Sequence, residues 1–205
     1  MAVDQTNQFL YVSTIGGISA YTIDSTTGML TAIPGSPFGS GVANPWSITV
    51  TPNNKFLYEV DAKQAALIYG YSIDQSSGVL TAIPGSPFNA GTCGDSAQAD
   101  RGPDNLTIAS AGKFLYDNCG IYTLDATTGT VTQTSTFVAG DWAVIDPTGD
   151  FLWAITAGRN CYHCEVGITA YTVDPSSGNL TAVPNSFFAL TNSEVGSLDS
   201  IAITK

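Results

Sequence analysis

The chain has 205 residues, 43% of them apolar and only 11% charged, so it is neither disordered nor too short to bury a core. No apolar run approaches the ~18 residues of a membrane-crossing helix, and the first residues lack the basic start and long apolar stretch of a signal peptide. Six basic residues against seventeen acidic ones, a net charge of −11, leave no basic surface for nucleic acid or an anionic membrane.

In chain order, Met1-Ala2-Val3 matches the end of a strand, Asp4–Gln8 a short turn, and Phe9-Leu10-Tyr11 the start of a second strand. Tyr21–Gly28 reads YTIDSTTG: a strand end, then an Asp-to-Gly turn. The next stretch repeats this in full. Trp46–Thr51 (WSITVT) alternates and is rich in β-branched residues, which marks a strand. Pro52-Asn53-Asn54 is a turn, with Pro setting φ and Asn tolerating the left-handed region. Phe56–Val60 and Leu67–Ile73 are the second and third strands. In Asp74–Gly78 the Asp side chain accepts local N–H groups and Gly supplies a positive φ. Val79–Ile83 is the fourth strand, ended by Pro84-Gly85-Ser86-Pro87.

The pattern returns twice more, with Phe114-Leu115-Tyr116 before YTLDATTG (Tyr122–Gly129), and Phe151-Leu152-Trp153 before YTVDPSSG (Tyr171–Gly178). The four Tyr at 21, 71, 122 and 171 are 50, 51 and 49 residues apart. A period near fifty built of short strands points to a β-propeller or β-solenoid, and four antiparallel strands per period make one propeller blade. The expected class is all-β, with repeats at about 1–45, 46–105, 106–142 and 143–199, and 200–205 as a closing strand.

Two connections are short in every repeat: the first-to-second turn and the Asp-to-Gly turn. The spacing from the Phe of the second strand to the Tyr of the third varies, at 12, 15, 8 and 20 residues, and the second repeat alone carries a long insertion, Asn89–Asn105. In an up-and-down blade, both variable connections emerge on one face. That loop-rich face is the expected binding surface. It would carry Asp95, Asp100, Arg101, Asp117, Arg159, His163 and Glu165.

The motif string Pro-x-x-x-Phe-Leu-Tyr, then Tyr-x-Ile-Asp-x-x-x-Gly-x-Leu-Thr, then Gly-Ser-Pro-Phe (Gly35–Phe38, Gly85–Phe88) resembles the lactonase-family β-propellers, the 6-phosphogluconolactonase-like and carboxymuconate-cyclase-like proteins. The resemblance implies a seven-bladed fold and enzymes that open or close lactones of sugar acids or muconates. Enzymatic members carry His or Arg-His just before an inner strand and an acid after the second strand. Here the pre-strand segments read Ala43-Asn44-Pro45-Trp46, Gly102-Pro103-Asp104-Asn105 and Ala139-Gly140-Asp141-Trp142, and only Glu59 fits the acidic position. Arg101, Arg159, His163 and Glu59 are the parts from which a lactonase site would have to be built. The leading expectation is therefore a non-catalytic binding or assembly module, with a lactone hydrolase and a self-associating structural subunit as alternatives.

Four repeats are fewer than seven. The chain could be part of a longer propeller, close on itself, or pair with a second copy through its blade edges. Cys93 and Cys119 fall on the loop-rich face of the third repeat, and Cys161 and Cys164 bracket His163 in the fourth. Two disulfides, Cys93–Cys119 and Cys161–Cys164, are the simplest reading, and they suit an extracellular or periplasmic setting. A zinc site on Cys161, His163 and Cys164, or calcium on Asp95, Asp100, Asp104 and Asp117, is the sharper alternative. Solvated loop acids and a solvated His outweigh both, so no metal and no cofactor is expected. Asp24, Asp74, Asp125 and Asp174 read as turn formers, and Tyr11, Tyr58, Tyr116 and Trp153 as core between blades. The expected partner is a protein or a small carbohydrate-like ligand.

Overall fold

The computed structural model describes residues 1–39, 42, 45–61, 67–90, 105–109, 111–118, 120–136, 142–156 and 167–190. These form four antiparallel sheets in sequence order. Blade one is β1 (Ala2–Val3), β2 (Phe9–Thr14), β3 (Gly17–Ile23) and β4 (Leu30–Ala32). Blade two is β5 (Pro45–Val50), β6 (Phe56–Asp61), β7 (Leu67–Ile73), β8 (Leu80–Ala82) and β9 (Phe88–Asn89). Blade three is β10 (Thr107–Ile108), β11 (Phe114–Asp117), β12 (Gly120–Leu124) and β13 (Val131–Ser135). Blade four is β14 (Trp142–Ile145), β15 (Phe151–Thr156), β16 (Gly167–Val173), β17 (Leu180–Ala182) and β18 (Phe188–Ala189). In each sheet the first four strands pair in order, as in a propeller blade.

The Asp-to-Gly turns form as the side chains dictate. Asp74 Oδ1 accepts the backbone N–H groups of Ser76 (2.9 Å) and Ser77 (3.0 Å), and Gly78 N–H closes on the Asp74 carbonyl at 2.7 Å with φ at 73°. The Ser76 hydroxyl, 2.6 Å from Oδ1, and then the Ser76 and Ser77 N–H groups hold the Asp74 carboxyl down at about 2, below the usual carboxylate range; the Ser176 hydroxyl, with the N–H groups of Ser177 and Ser176, does the same for Asp174. The first-to-second turns are built by other means. Asp4 Oδ1 accepts the N–H groups of Gln8 (2.7 Å) and Phe9 (2.8 Å) in blade one. Thr51 Oγ1 accepts that of Phe56 (3.0 Å) in blade two.

The Pro-Gly-Ser-Pro segment follows the end of the fourth strand, as its sequence implies, but the blade continues beyond it. The chain breaks after β8 and returns as β9, which pairs with β7 at Leu67↔Asn89 and Ile68↔Phe88. At the break a serine hydroxyl replaces the missing ladder carbonyl: Ser86 Oγ accepts Gly70 N–H at 2.9 Å. Ser36 does the same for Ala20 (2.9 Å) and Ser186 for Ala170 (3.2 Å). Blade three lacks this segment, and β13 runs unbroken to Ser135 with one register shift against β12.

The core lies between blades. Phe9, Tyr11 and Ile33 of blade one pack with Leu57, Tyr71, Ile73 and Leu80 of blade two. Phe56, Tyr58 and Ile83 pack with Tyr122, Leu124 and Val131 of blade three, and Phe114 and Tyr116 with Leu152 and Val173 of blade four. Each buried side chain of this size contributes about 1.5–3 kcal/mol. One polar bond recurs at each junction. The second-strand Tyr donates to the carbonyl of the next blade's turn glycine: Tyr11 to Gly78 at 3.1 Å, Tyr58 to Gly129 at 2.8 Å and Tyr116 to Gly178 at 3.0 Å. These three Tyr are core as the sequence implies, whereas Trp153 in the equivalent place is only half-buried.

Candidate functional site

The second strands run from the short-turn face toward the loop-rich face, so their last residues lie where the variable loops begin. β6 is buried along its whole length. Alternation sends Phe56, Tyr58 and Val60 toward blade three, and Leu57, Glu59 and Asp61 toward blade one. A strand so placed reads as continuous core, yet two of its six residues are acids.

Glu59 is 1% exposed, and Ser13, from the end of β2 in blade one, donates its hydroxyl to Glu59 Oε1. Burial pushes the Glu59 carboxyl above its ordinary range; the Ser13 bond opposes this and the charge of Asp61 adds to it. Asp61 is also 1% exposed, and its backbone pairs with Pro45 and Leu67. Tyr69, opposite Glu59 on β7, is pushed up by burial and then by the charges of Asp61 and Glu59. Tyr71 is pushed up to about 12 by burial and by Glu59. Two carboxyls, two phenols and a hydroxyl thus share one end of the blade one–blade two junction. Burying two acids together costs stability, and such costs concentrate at functional sites.

At the same end of blade two stands Trp46. Alternation alone would bury it with Ile48 and Val50. The register of β5 against β6 slips between Pro45 and Ser47, leaving Trp46 opposite no partner. Such a bulge re-aims its side chain, and Trp46 is 58% exposed. It sits at the loop-rich end of an inner strand, one residue from Pro45, the strand partner of Asp61.

Blade three repeats the acid. Asp117 follows Tyr116 as Glu59 follows Tyr58 and is buried, as is Asn118. Its Oδ1 accepts Gly120 N–H at 2.8 Å, and the Tyr122 hydroxyl lies 3.0 Å from Oδ1 and 2.8 Å from the Ala90 carbonyl. Burial, then the Asp117 charge and this bond, push Tyr122 far up. Asp117 is thus committed to closing a tight β11–β12 connection. Among the described residues the cations are Lys55 and Lys113, both exposed in first-to-second turns at the opposite face. With ~3.3 Å per strand residue, the Lys55 backbone is roughly 20 Å from that of Asp61.

Of the residues the sequence singled out, Glu59 and Asp117 are placed as above. Asp95, Asp100, Arg101, Asp104, Arg159, His163 and Glu165 lie outside the described residues, as do Cys93, Cys119, Cys161 and Cys164 with the disulfide and metal readings built on them. Ser13, Trp46, Asp61 and Tyr69 were not singled out. The available signal was a pair of acids two residues apart in a strand otherwise apolar, Glu59 and Asp61 in FLYEVD.

Against known structures, the chain superposes on a 6-phosphogluconolactonase-like protein of Bacteroides uniformis with a TM-score of 0.70 at 18% identity, over 92% of this chain and 53% of that one. The chain has the lactonase-propeller fold. A second such protein, from Bacteroides fragilis, matches with a TM-score of 0.67, also at 18% identity, over 92% of this chain and 53% of that one. An auxiliary nutrient binding protein of Bacteroides thetaiotaomicron matches at 0.53 and 14% identity, over 87% of this chain and 39% of that one. The chain therefore spans about half the length of the lactonase-like propellers it matches. No family model and no curated protein matches the sequence.

Proposed function

We propose that this propeller is a non-catalytic, extracytoplasmic binding module whose loop-rich face takes a neutral, hydroxyl-rich ligand of the carbohydrate type. The observation that carries this reading is Trp46, 58% exposed at the loop-rich end of an inner strand, one residue from Pro45, the strand partner of Asp61. An exposed indole offers a flat apolar surface to the C–H face of a sugar ring. The whole chain has six basic residues against seventeen acidic ones, which disfavours a phosphorylated or carboxylated substrate, since anion sites converge cations. Low charge and the proposed Cys93–Cys119 and Cys161–Cys164 disulfides support the extracytoplasmic setting.

A panel of neutral oligosaccharides, screened by titration calorimetry on the intact chain and on Trp46→Ala, tests it. Binding lost in the variant supports the reading; equal binding by both proteins, or none by either, removes it. The second reading, a lactone hydrolase, rests on Glu59, the acid that follows the second-strand Phe56-Leu57-Tyr58 and whose carboxyl burial pushes above its ordinary range. Hydrolysis of a neutral or 6-phosphorylated gluconolactone that is lost in Glu59→Gln would put this reading first.

A further inference from the structure

One face of β2 forms the first blade's side of its junction with blade two. Phe9, Tyr11 and Ser13 alternate onto that face. Phe9 lies under Gly78, where an added Cβ would meet its Cδ1 at 2.6 Å. Tyr11 donates to the Gly78 carbonyl at 3.1 Å. Ser13, at the loop-rich end, donates to Glu59. The first two contacts are neutral and stand toward the short-turn end. The third falls on a carboxyl.

The next two junctions carry other residues at the same register. Val60 stands where Ser13 does, and the acid of blade three, Asp117, accepts Gly120 N–H of its own blade at 2.8 Å. At the last junction the two places are held by Asn118 and Ala154. Neutral groups cross both junctions at this end. Leu106 N–H donates to Ser47 Oγ at 3.1 Å, and Asn105 Nδ2 donates to the Ala143 carbonyl at 2.7 Å. The bond between Ser13 and Glu59 thus differs in kind, because its acceptor titrates.

Glu59 is 1% exposed and stands in register with Ile48 of β5 and Tyr69 of β7. Its titratable neighbours are Asp61, two residues on and equally buried, and the phenols of Tyr69 and Tyr71. β3 and β5 turn Ile18, Ala20 and Ile48 to this junction, and none of these titrates. Lys63, in the connection from β6 to β7, lies outside the described residues. A carboxylate enclosed beside a second acid gains by reaching water. Glu59 is two residues from the end of β6, so a short outward swing achieves this and breaks the Ser13 bond. We propose that Ser13 and Glu59 form a proton-operated clasp: the protonated carboxyl holds the loop-rich end of the blade one–blade two junction closed, and loss of its proton opens that end while the short-turn end stays shut. The direction in which burial pushes the Glu59 carboxyl agrees with this. Because Trp46 stands at the same end of blade two, the clasp sets the shape of that face whether or not the face takes a sugar.

The test is hydroxyl-radical footprinting of the unaltered chain, Glu59→Gln and Ser13→Ala across a range of pH, which reads how far each buried side chain meets water. Ile18 and Ile48 report on the loop-rich end, being strand partners of Ser13 and Glu59. Phe9, Ile73 and Leu80 report on the short-turn end of the same core. In the unaltered chain, labelling of Ile18 and Ile48 should be low and constant below the ordinary value of 4.5. Above it the labelling should rise by up to about tenfold per pH unit, since opening releases one proton, and then level off. Phe9, Ile73 and Leu80 should stay protected throughout. Glu59→Gln should remove the rise. Ser13→Ala should raise the labelling already at pH 4 and keep the rise. Labelling that is flat with pH in the unaltered chain overturns the proposal, and does so even if Glu59→Gln fails to fold. An equal rise at both ends overturns it, as general loosening. So does a rise that persists in Glu59→Gln, or labelling unchanged by Ser13→Ala.

Discussion

The hydroxyl of Tyr58 donates to the carbonyl of Gly129, 2.8 Å away across the junction of blades two and three. Tyr58 is wholly buried, and this bond is its polar anchor in an otherwise apolar contact. Tyr58→Phe keeps the ring and removes the donor, leaving a buried carbonyl unpaired. The expected loss is about 1–3 kcal/mol, read as a lower urea midpoint with an unchanged slope. A changed slope would mean that the blades had begun to unfold separately.

Gly78 and Gly28 share a backbone conformation but differ in surroundings, so they separate strain from packing. Gly28→Ala should cost only the left-handed φ, about 1–2 kcal/mol. Gly78→Ala adds a methyl group driven into Phe9 and Ile33, a further cost of about 1–3 kcal/mol. Thermal melts of the two variants should therefore be clearly ordered, with Gly78→Ala melting lower. Equal melting points would show that the junction yields to an added methyl group.

Glu59 sets a pH dependence with a definite sign. Its folded carboxyl holds the proton above the ordinary value of 4.5, so between that value and the folded one the unfolded chain binds fewer protons than the folded chain. The stability it contributes is full below about 4.5 and is lost as pH rises through the folded value. Glu59→Gln keeps an oxygen for the Ser13 hydroxyl but removes the titration. The variant should match the parent at pH 4 and melt higher at neutral and alkaline pH. A difference that shrinks with rising pH would contradict the burial argument.

Asp74 titrates in the opposite sense. Its hydrogen bonds hold the carboxyl at about 2, against an ordinary 3.8. The stability it supplies is present above 3.8 and disappears as pH falls toward 2. Asp74→Asn retains an oxygen for the Ser76 and Ser77 N–H groups but cannot titrate. Its melting temperature should fall less than the parent's between pH 4 and pH 2, and circular dichroism melts in that window would show it.

The architecture was open to reading because its signals are local. Asp74 to Gly78 is a turn by side-chain chemistry whatever surrounds it, and four copies at one period leave little besides a blade array. The aromatic positions followed from alternation, and Tyr11, Tyr58 and Tyr116 are core for that reason. The site was less open. Glu59 could be noted only as an acid after a second strand, because its burial depends on Ser13, which is 46 residues away in the chain. Trp46 was hidden because a single slipped residue in β5 reverses the face that alternation assigns.

The serine that closes each broken outer strand bears on how such a chain changes over generations. Ser36, Ser86 and Ser186 each bond a residue of their own repeat, sixteen positions away, while the Tyr-to-Gly bonds reach only the adjoining repeat. One repeat therefore carries its own internal closure and a standard plug and socket. Recombination that excised repeat two or repeat three would leave a Tyr facing a turn glycine at the new seam, so blade number can change without the loss of a connector.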